Sequence, residues 1–303
     1  MTKPICIYHG HCDDGFGAAW VLRAATGSGL FEFYPGVYQQ EPPDVTGRHV
    51  VLIDFSYKRP VLMEMAAKAR SIVILDHHKT AAEDLSGFRE PAPYQDWQQN
   101  KNPCVEGDAE PVAALFDMNR SGAGLAWDFF FAGKKRPEFI DYLEDRDLWR
   151  KILPGGDEFT IALRSYPQDF AVWDELVWKR GAKSLIEEGH SIQRYYRLRV
   201  EELKRSAYAA LMDWDGGLAG CVTSKIVIAN APYFAASEVA GELAERDGAE
   251  FGACYFEVRS GEWQYSLRSR GDFDVSAVAK CYGGGGHKGA AGFTSKRPVH
   301  RIS

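Results

Sequence analysis

The chain has 303 residues, 45% hydrophobic and 26% charged, which excludes a disordered polymer and, at roughly 150 residues per domain, favours two domains. Thirty-six Lys and Arg stand against 42 Asp and Glu, a net charge of −6 that excludes a general polyanion binder. No window approaches about 18 uninterrupted apolar residues, MTKPICIYHG shows no secretory leader, and Cys6, Cys12, Cys104, Cys221, Cys254 and Cys281 form no C-x-x-C pair, so a membrane-free, cytoplasmic setting is expected.

Along the first third, short apolar runs alternate with Ala-rich, helix-prone stretches. Strands are expected at Ile5–Tyr8, Phe31–Tyr34, Val50–Ile53, Ser71–Leu75 and Val112–Phe116, with a helix near Ser121. Strands apolar on both faces and separated by helices imply a mostly parallel, open sheet covered on both sides. From Pro137 to Ala182 the pattern is helical, with Trp149, Trp173 and Trp178 as packing residues. Leu185–Leu211 reads as one long amphipathic helix. A new texture begins at Gly216-Gly217-Leu218-Ala219-Gly220, followed by strands at Lys225–Ala229, Phe251–Val258 and Trp263–Leu267. The expected organisation is therefore an α/β chain: a catalytic domain over 1–190, a linker helix over 191–212, and a smaller mixed α/β domain over 213–303.

The chemistry gathers at strand ends. The first strand is followed by His9-Gly10-His11-Cys12-Asp13-Asp14-Gly15, the third by Asp54, and the fourth by Asp76-His77-His78. In an open parallel sheet these C-terminal ends share one edge, where ligands bind. Of eight histidines, four sit in these two motifs. Crowded carboxylates and imidazoles repel and desolvate one another unless a cation is present. Two divalent ions would stabilise the attacking and leaving oxygens of a phosphoryl transfer. A lone Asp after a strand is more often a helix cap than a ligand; three coincident motifs turn the reading towards a metal site.

Asp14-Gly15, Asp54 and Asp76-His77-His78 resemble the DHH phosphoesterase superfamily. Ser266-Leu267-Arg268-Ser269, Asp274-Val275-Ser276 and Gly283-Gly284-Gly285-Gly286-His287-Lys288-Gly289-Ala290-Ala291-Gly292-Phe293 resemble its DHH-associated C-terminal substrate-binding domain. The resemblance implies a parallel-sheet catalytic domain joined by a long helix to that second domain. It also implies metal ligands at His9, Cys12, Asp14, Asp54, His77 and Asp145, with Asp54 bridging two ions. Asp147 competes with Asp145. The family's first motif usually has an Asp where Cys12 stands, and Asp13 competes with Cys12 because a His-x-x-x-Asp spacing also occurs in the superfamily. His78 would lie near the scissile phosphate, and Asp76 would orient the histidines. The two ions are expected to be Mn²⁺, with Mg²⁺, Co²⁺, Zn²⁺ or Fe²⁺ as alternatives, since a Cys12 thiolate favours softer metals.

In the second domain, glycines without Cβ atoms let backbone N–H groups approach a phosphate, and the alternative is a flexible loop. Arg268, Gly283, Gly284, Gly285, Gly286 and His287 are the expected substrate contacts, Arg268 because guanidinium binds phosphate bidentately. The implied activity is hydrolysis of short single-stranded oligonucleotides or linear dinucleotides by metal-activated water. The lack of an extended basic stripe argues against long nucleic acid. Alternatives are a pAp-type nucleotide phosphatase, a cyclic-dinucleotide phosphodiesterase, or a nucleotide-binding regulatory protein whose site has degraded. The chain is compatible with a homodimer.

Overall fold

The computed structural model describes residues 2–38, 40–100, 111–216, 220–259 and 261–302; Cys104 and residues 217–219 lie outside the described residues. The chain divides into two compact units, Met1–Gln193 and Arg194–Ser303.

In the first unit, β1 (Ile5–His9), β2 (Glu32–Gly36), β3 (His49–Ile53), β4 (Ser71–Asp76) and β5 (Val112–Phe116) form a parallel sheet in the order β2-β1-β3-β4-β5. The pleat sends successive side chains to opposite faces, so uninterrupted apolar strands feed two cores. Cys6, Val51, Ile53, Val73 and Leu75 pack on one face with Trp20, Phe130 and Phe139. Those three come from α1 (Asp13–Thr26), α5 (Gly122–Phe130) and α6 (Glu138–Asp147). Ile5, Ile7, Val50, Leu52, Ile72 and Ile74 pack on the other with Leu62 and Met65 of α2 (Arg59–Ala66). Short helices α3 (Lys79–Asp84), α4 (Tyr94–Asn100), α7 (Gly156–Leu163) and α8 (Phe170–Glu175) complete the unit, with a π-helical turn at Leu176–Arg180. Because β1 lies between β2 and β3, the chain crosses over it there. Such a reversal opens a crevice at the strand C-terminal ends.

The long helix α9 (Gly181–Lys204) runs from the first unit into the second and stops well before Leu211. Arg205, Ser206 and Ala207 donate N–H bonds to the carbonyls of Glu202, Leu203 and Lys204, which closes the helix with a tightened turn. The next residues, Tyr208–Asp215, form β6 instead of a linker helix, with Ala210 and Met212 buried. Burial within a sheet overrides the helical preference of Ala209-Ala210-Leu211-Met212.

β6 is joined by β7 (Cys221–Asn230), β8 (Phe251–Arg259), β9 (Glu262–Arg268), β10 (Gly285–His287), β11 (Ala290–Ser295) and β12 (His300–Ile302). Their order is β10-β11-β9-β8-β7-β6-β12, with only β7 and β8 parallel among neighbours. α10 (Ala236–Leu243) covers one face through Val239 and Leu243, and α11 (Val275–Cys281) the other through Val278. Of the three expected packing tryptophans, Trp173 is buried in the core but Trp178 is 56% exposed. Trp178 lies on the π-helical turn and rests its ring on Trp20. Trp149 is half-buried between the Arg146 and Lys151 side chains.

Candidate metal centre

Asp54 is the hub of the first unit's strand-end cluster. Its backbone sits in the left-handed region at φ 55°, which strains a non-glycine residue by on the order of 1 kcal/mol. The Asp54 N–H donates to Leu75 O at 2.9 Å, locking this bend to the end of β4. The N-terminus of α5 is pressed against it, since a Cβ on Gly122 would overlap the Asp54 side chain.

The two Asp54 oxygens face different partners. Oδ1 is 2.9 Å from His77 Nε2, and Oδ2 is 3.4 Å from His9 Nδ1. His9, Cys12 and Asp54 bring one donor atom each within 4.8 Å of one another. Asp14, His77 and Asp147 do the same, as do Asp54, Asp76, His77 and His78. His77 Nε2 also lies 3.5 Å from Asp147 Oδ2 and 3.9 Å from Asp14 Oδ2. Asp14 is held by backbone: Gly122 N–H donates to its Oδ2 at 2.5 Å and Ala123 N–H to its Oδ1 at 3.0 Å. Ser121 caps the same helix by accepting from Gly124 N–H. The start of this helix thus aims two N–H groups at the Asp14 carboxylate.

Asp76 and His78 form a second layer. Asp76 Oδ1 accepts from the His77 N–H at 2.7 Å and the His78 N–H at 3.2 Å, and lies 2.7 Å from His78 Nδ1. Its Oδ2 accepts from Ser56 Oγ at 2.5 Å. Asp76 is fully buried, and this arrangement fixes both histidine backbones and one imidazole.

The electrostatics of the cluster call for a cation. Burial pushes the Asp14 carboxyl up, and Asp147 and Asp54 push it further. Burial raises Asp147 as well, with Asp54 adding to the rise against the pull of His77. The Cys12 thiol is raised by burial and then by Asp54, Asp147 and Asp14. Burial opposes ionisation of Asp54, but its contacts with His77 and His9 outweigh it and hold Asp54 well below the usual carboxylate range. Burial likewise opposes charge on His77, yet Asp147, Asp54 and Asp14 raise it well above the ordinary imidazole range. Burial disfavours the charge on Asp76 and on His78, but their contact lowers the carboxyl and raises the imidazole. So many acidic groups cannot ionise together at this spacing without positive charge among them.

Among the described residues, buried Asp54 Oδ2 and Asp147 Oδ2 find no hydrogen-bond donor. Orphaned carboxylate oxygens in a mixed imidazole, carboxylate and thiol set fit divalent metal ions.

Asp147, and not Asp145, is the acid that α6 adds to this cluster. Asp145 accepts N–H bonds from Ile152 at 3.0 Å and Leu153 at 3.3 Å, closing the loop after the helix. A separation of two residues places the carboxylates roughly 200° apart around the helix. Asp147 continues the stripe of buried Ile140 and Leu143, a phase visible in the sequence. Asp13 points away from the cluster to Arg164 at 3.0 Å and Gln168 at 3.4 Å, while Cys12 lies inside it.

In the second unit, Arg268 Nη2 donates to Ser237 Oγ at 2.6 Å near the start of α10, and Nη1 to its neighbour's carbonyl, Leu267 O, at 2.8 Å. The glycine run differs from a four-residue phosphate nest. Gly283 N–H donates to Lys280 O and Gly284 N–H to Ala279 O, ending α11. Gly284 is packed so closely that a Cβ would overlap Gly292 O. Gly285, Gly286 and His287 form the edge strand β10. Ser56, the N–H groups of Gly122 and Ala123, and Tyr38 against His9 and His78 had no local sequence signal, because each acts through a partner distant in the chain.

Residues 222–301 match the family model described as the DHHA1 domain. The chain is 28% identical over 306 residues to the uncharacterized protein R106 of Acanthamoeba polyphaga mimivirus, covering 95% of this chain and 66% of that relative's length. Among solved structures, RecJ in complex with Mn²⁺ from Thermus thermophilus aligns at TM-score 0.44 and 14% identity, over 97% of this chain and 49% of its own. The pGpG-specific phosphodiesterase PggH from Vibrio cholerae aligns at TM-score 0.37 and 13% identity, over 97% and 93%. The match places a DHHA1 domain after a parallel-sheet unit that carries Asp76-His77-His78 at a strand end, the order that the resemblance to DHH phosphoesterases implies.

Proposed function

We propose that this protein is a divalent-metal-dependent phosphodiesterase of the DHH type that cleaves short single-stranded oligonucleotides or linear dinucleotides. The observation that carries the reading is Asp54: one oxygen faces the His77 group and the other the His9–Cys12 group, the disposition of a carboxylate shared by two ions. His9, Cys12 and Asp54 would hold one ion, and Asp14, Asp54, His77 and Asp147 the other. When bound, such ions polarise a phosphate and activate a water. Mn²⁺ is the first choice, with Cys12 drawing the preference towards Zn²⁺ or Fe²⁺.

The chain's own residues do the rest. Gly122 and Ala123 keep Asp14 aimed into the cluster. Ionised Asp76 can only accept, so His78 Nδ1 carries the proton and Nε2 is the nitrogen that exchanges a proton with the leaving oxygen. Arg268 is the substrate-phosphate contact, and His287 and the β10 edge add to it. A net charge of −6 supports a short substrate over a long polyanion.

The test is a panel of mono-, di- and short oligonucleotides, pAp and cyclic dinucleotides, each with Mn²⁺, Mg²⁺, Co²⁺ or Zn²⁺. Metal-dependent release of mononucleotides from linear substrates is expected, and Asp54→Ala should lose at least about 99% of it. No hydrolysis of any diester with any metal, or an Asp54→Ala variant as fast as the parent, overturns the reading.

A further inference from the structure

Tyr38 has no part in the metal-ligand set, yet it stands at the mouth of that set. It follows β2, beside the crevice where the sheet order reverses. Its ring centroid is 5.3 Å from that of His9 at 68° and 6.4 Å from that of His78 at 78°, so it meets both imidazoles edge to face. Its other ring neighbour is Phe55, at 4.7 Å. Phe55 is fully buried, braced by Tyr57 at 4.9 Å, and occupies space that exists because residue 36 is glycine. A Cβ on Gly36 would come within 2.8 Å of the Phe55 ring. Tyr38 therefore rests on a rigid aromatic support, while 47% of its surface remains open.

A half-open aromatic ring fixed beside two histidines of a phosphate-handling site is suited to one kind of ligand. A nucleotide brings an anionic phosphate and, roughly one sugar away, a flat apolar base. The imidazoles and carboxylates serve the phosphate, but none offers an exposed apolar face. Tyr38 does, and base–aromatic stacking tolerates any base because each has a π face. We propose that Tyr38 is a substrate-binding residue, stacking on the base of a nucleotide that flanks the scissile phosphate. This rests on the phosphodiesterase reading above and deepens it by making a nucleobase, and not only a phosphate diester, part of what the site recognises.

The experiment is a cycle between protein and substrate. Parent, Tyr38→Phe and Tyr38→Ala are assayed on a dinucleotide and on its two abasic analogues, each with one base replaced by hydrogen. Metal content and circular dichroism of the variants check that the centre and fold persist. In the parent, removing the stacked base should raise KM roughly five- to a hundred-fold. Tyr38→Ala should raise KM on the full dinucleotide by a similar factor, with kcat changed far less. The same variant should then be indifferent to loss of that base, and Tyr38→Phe should behave as the parent. Additive losses, or a Phe variant as impaired as the Ala variant, overturn the inference while leaving the phosphodiesterase reading intact. An inactive parent instead fails that reading.

Discussion

Asp145 and Asp147 present the same carboxylate two positions apart on α6, and each meets a different environment. Asp147→Asn should lower occupancy of one metal site and reduce turnover by about a hundred-fold or more, read by elemental analysis and steady-state kinetics. Asp145→Asn should keep both and instead lower the melting temperature, because it weakens the closure of the loop at Ile152 and Leu153. If the two phenotypes are exchanged, the assignment of the α6 ligand is wrong. The first motif separates in the same way. Cys12→Ser replaces a soft donor by a hard one and should shift metal preference away from Zn²⁺ towards Mn²⁺ or Mg²⁺. Asp13→Asn weakens a partly exposed ion pair with Arg164, worth about 0–1 kcal/mol, and a long contact with Gln168, and should leave the metal profile unchanged.

At the scale of elements, α5 links the centre to the fold. Its first two N–H groups hold Asp14, its Ser121 cap fixes where those N–H groups start, and Gly122 touches Asp54. Buried Glu144 reinforces this from α6, accepting from Ser121 N–H at 3.2 Å while Arg136 and Arg150 compensate its charge. Gly122→Ala should therefore act as a site mutation even though it removes no ligand. Overpacking of this kind costs about 1–3 kcal/mol, and part of it should appear as weaker metal binding because the clash falls on Asp54. A calorimetric titration with Mn²⁺ that gives the parent's affinity would show that α5 can retreat without disturbing the centre.

For the whole molecule, the metal centre should govern stability as well as turnover. Asp14 and Asp147 are raised, so in the metal-free folded chain they retain protons that the unfolded chain has released. Metal-free stability should then fall as pH rises from about 4 through their raised range. His77 acts with the same sign: raised when folded, it contributes stability that is complete below about 6.5 and is lost as pH rises through its higher folded value. A bound cation replaces these protons, so the difference in melting temperature between Mn²⁺-loaded and chelator-treated protein should grow from about pH 6 to about pH 8. A difference that shrinks over that range would contradict this account. The two units should also be separable by function. Arg268→Ala lies outside the unit that carries the proposed metal donors, so it should keep full metal content while KM for oligonucleotides rises roughly ten- to a hundred-fold. Loss of metal from that variant would contradict the division.

The parallel sheet and the gathering of His9, Cys12, Asp14, Asp54 and His77 were legible because each depends on a local pattern. A short β-branched apolar run fits a strand covered on both faces, and the polar residues that follow then emerge at its end. Asp76-His77-His78 was readable for the same reason, and so was the start of α5 at Ser121. Other features depend on which distant atom reaches a group first. Asp145 is engaged by the loop that follows it, Gly283 and Gly284 close a helix, and Ser56 reaches Asp76 across two strand ends. Tyr208–Asp215 joins a sheet because β7 and β12 lie on either side of it, whatever its own helical preference. Sequence by itself determined which chemical groups arrive at the strand ends, since that follows from burial along a single segment. Tertiary structure decided which of them remain available to a ligand, since a hydrogen bond or a steric contact with a remote neighbour removes a group from use without leaving a mark in the local pattern.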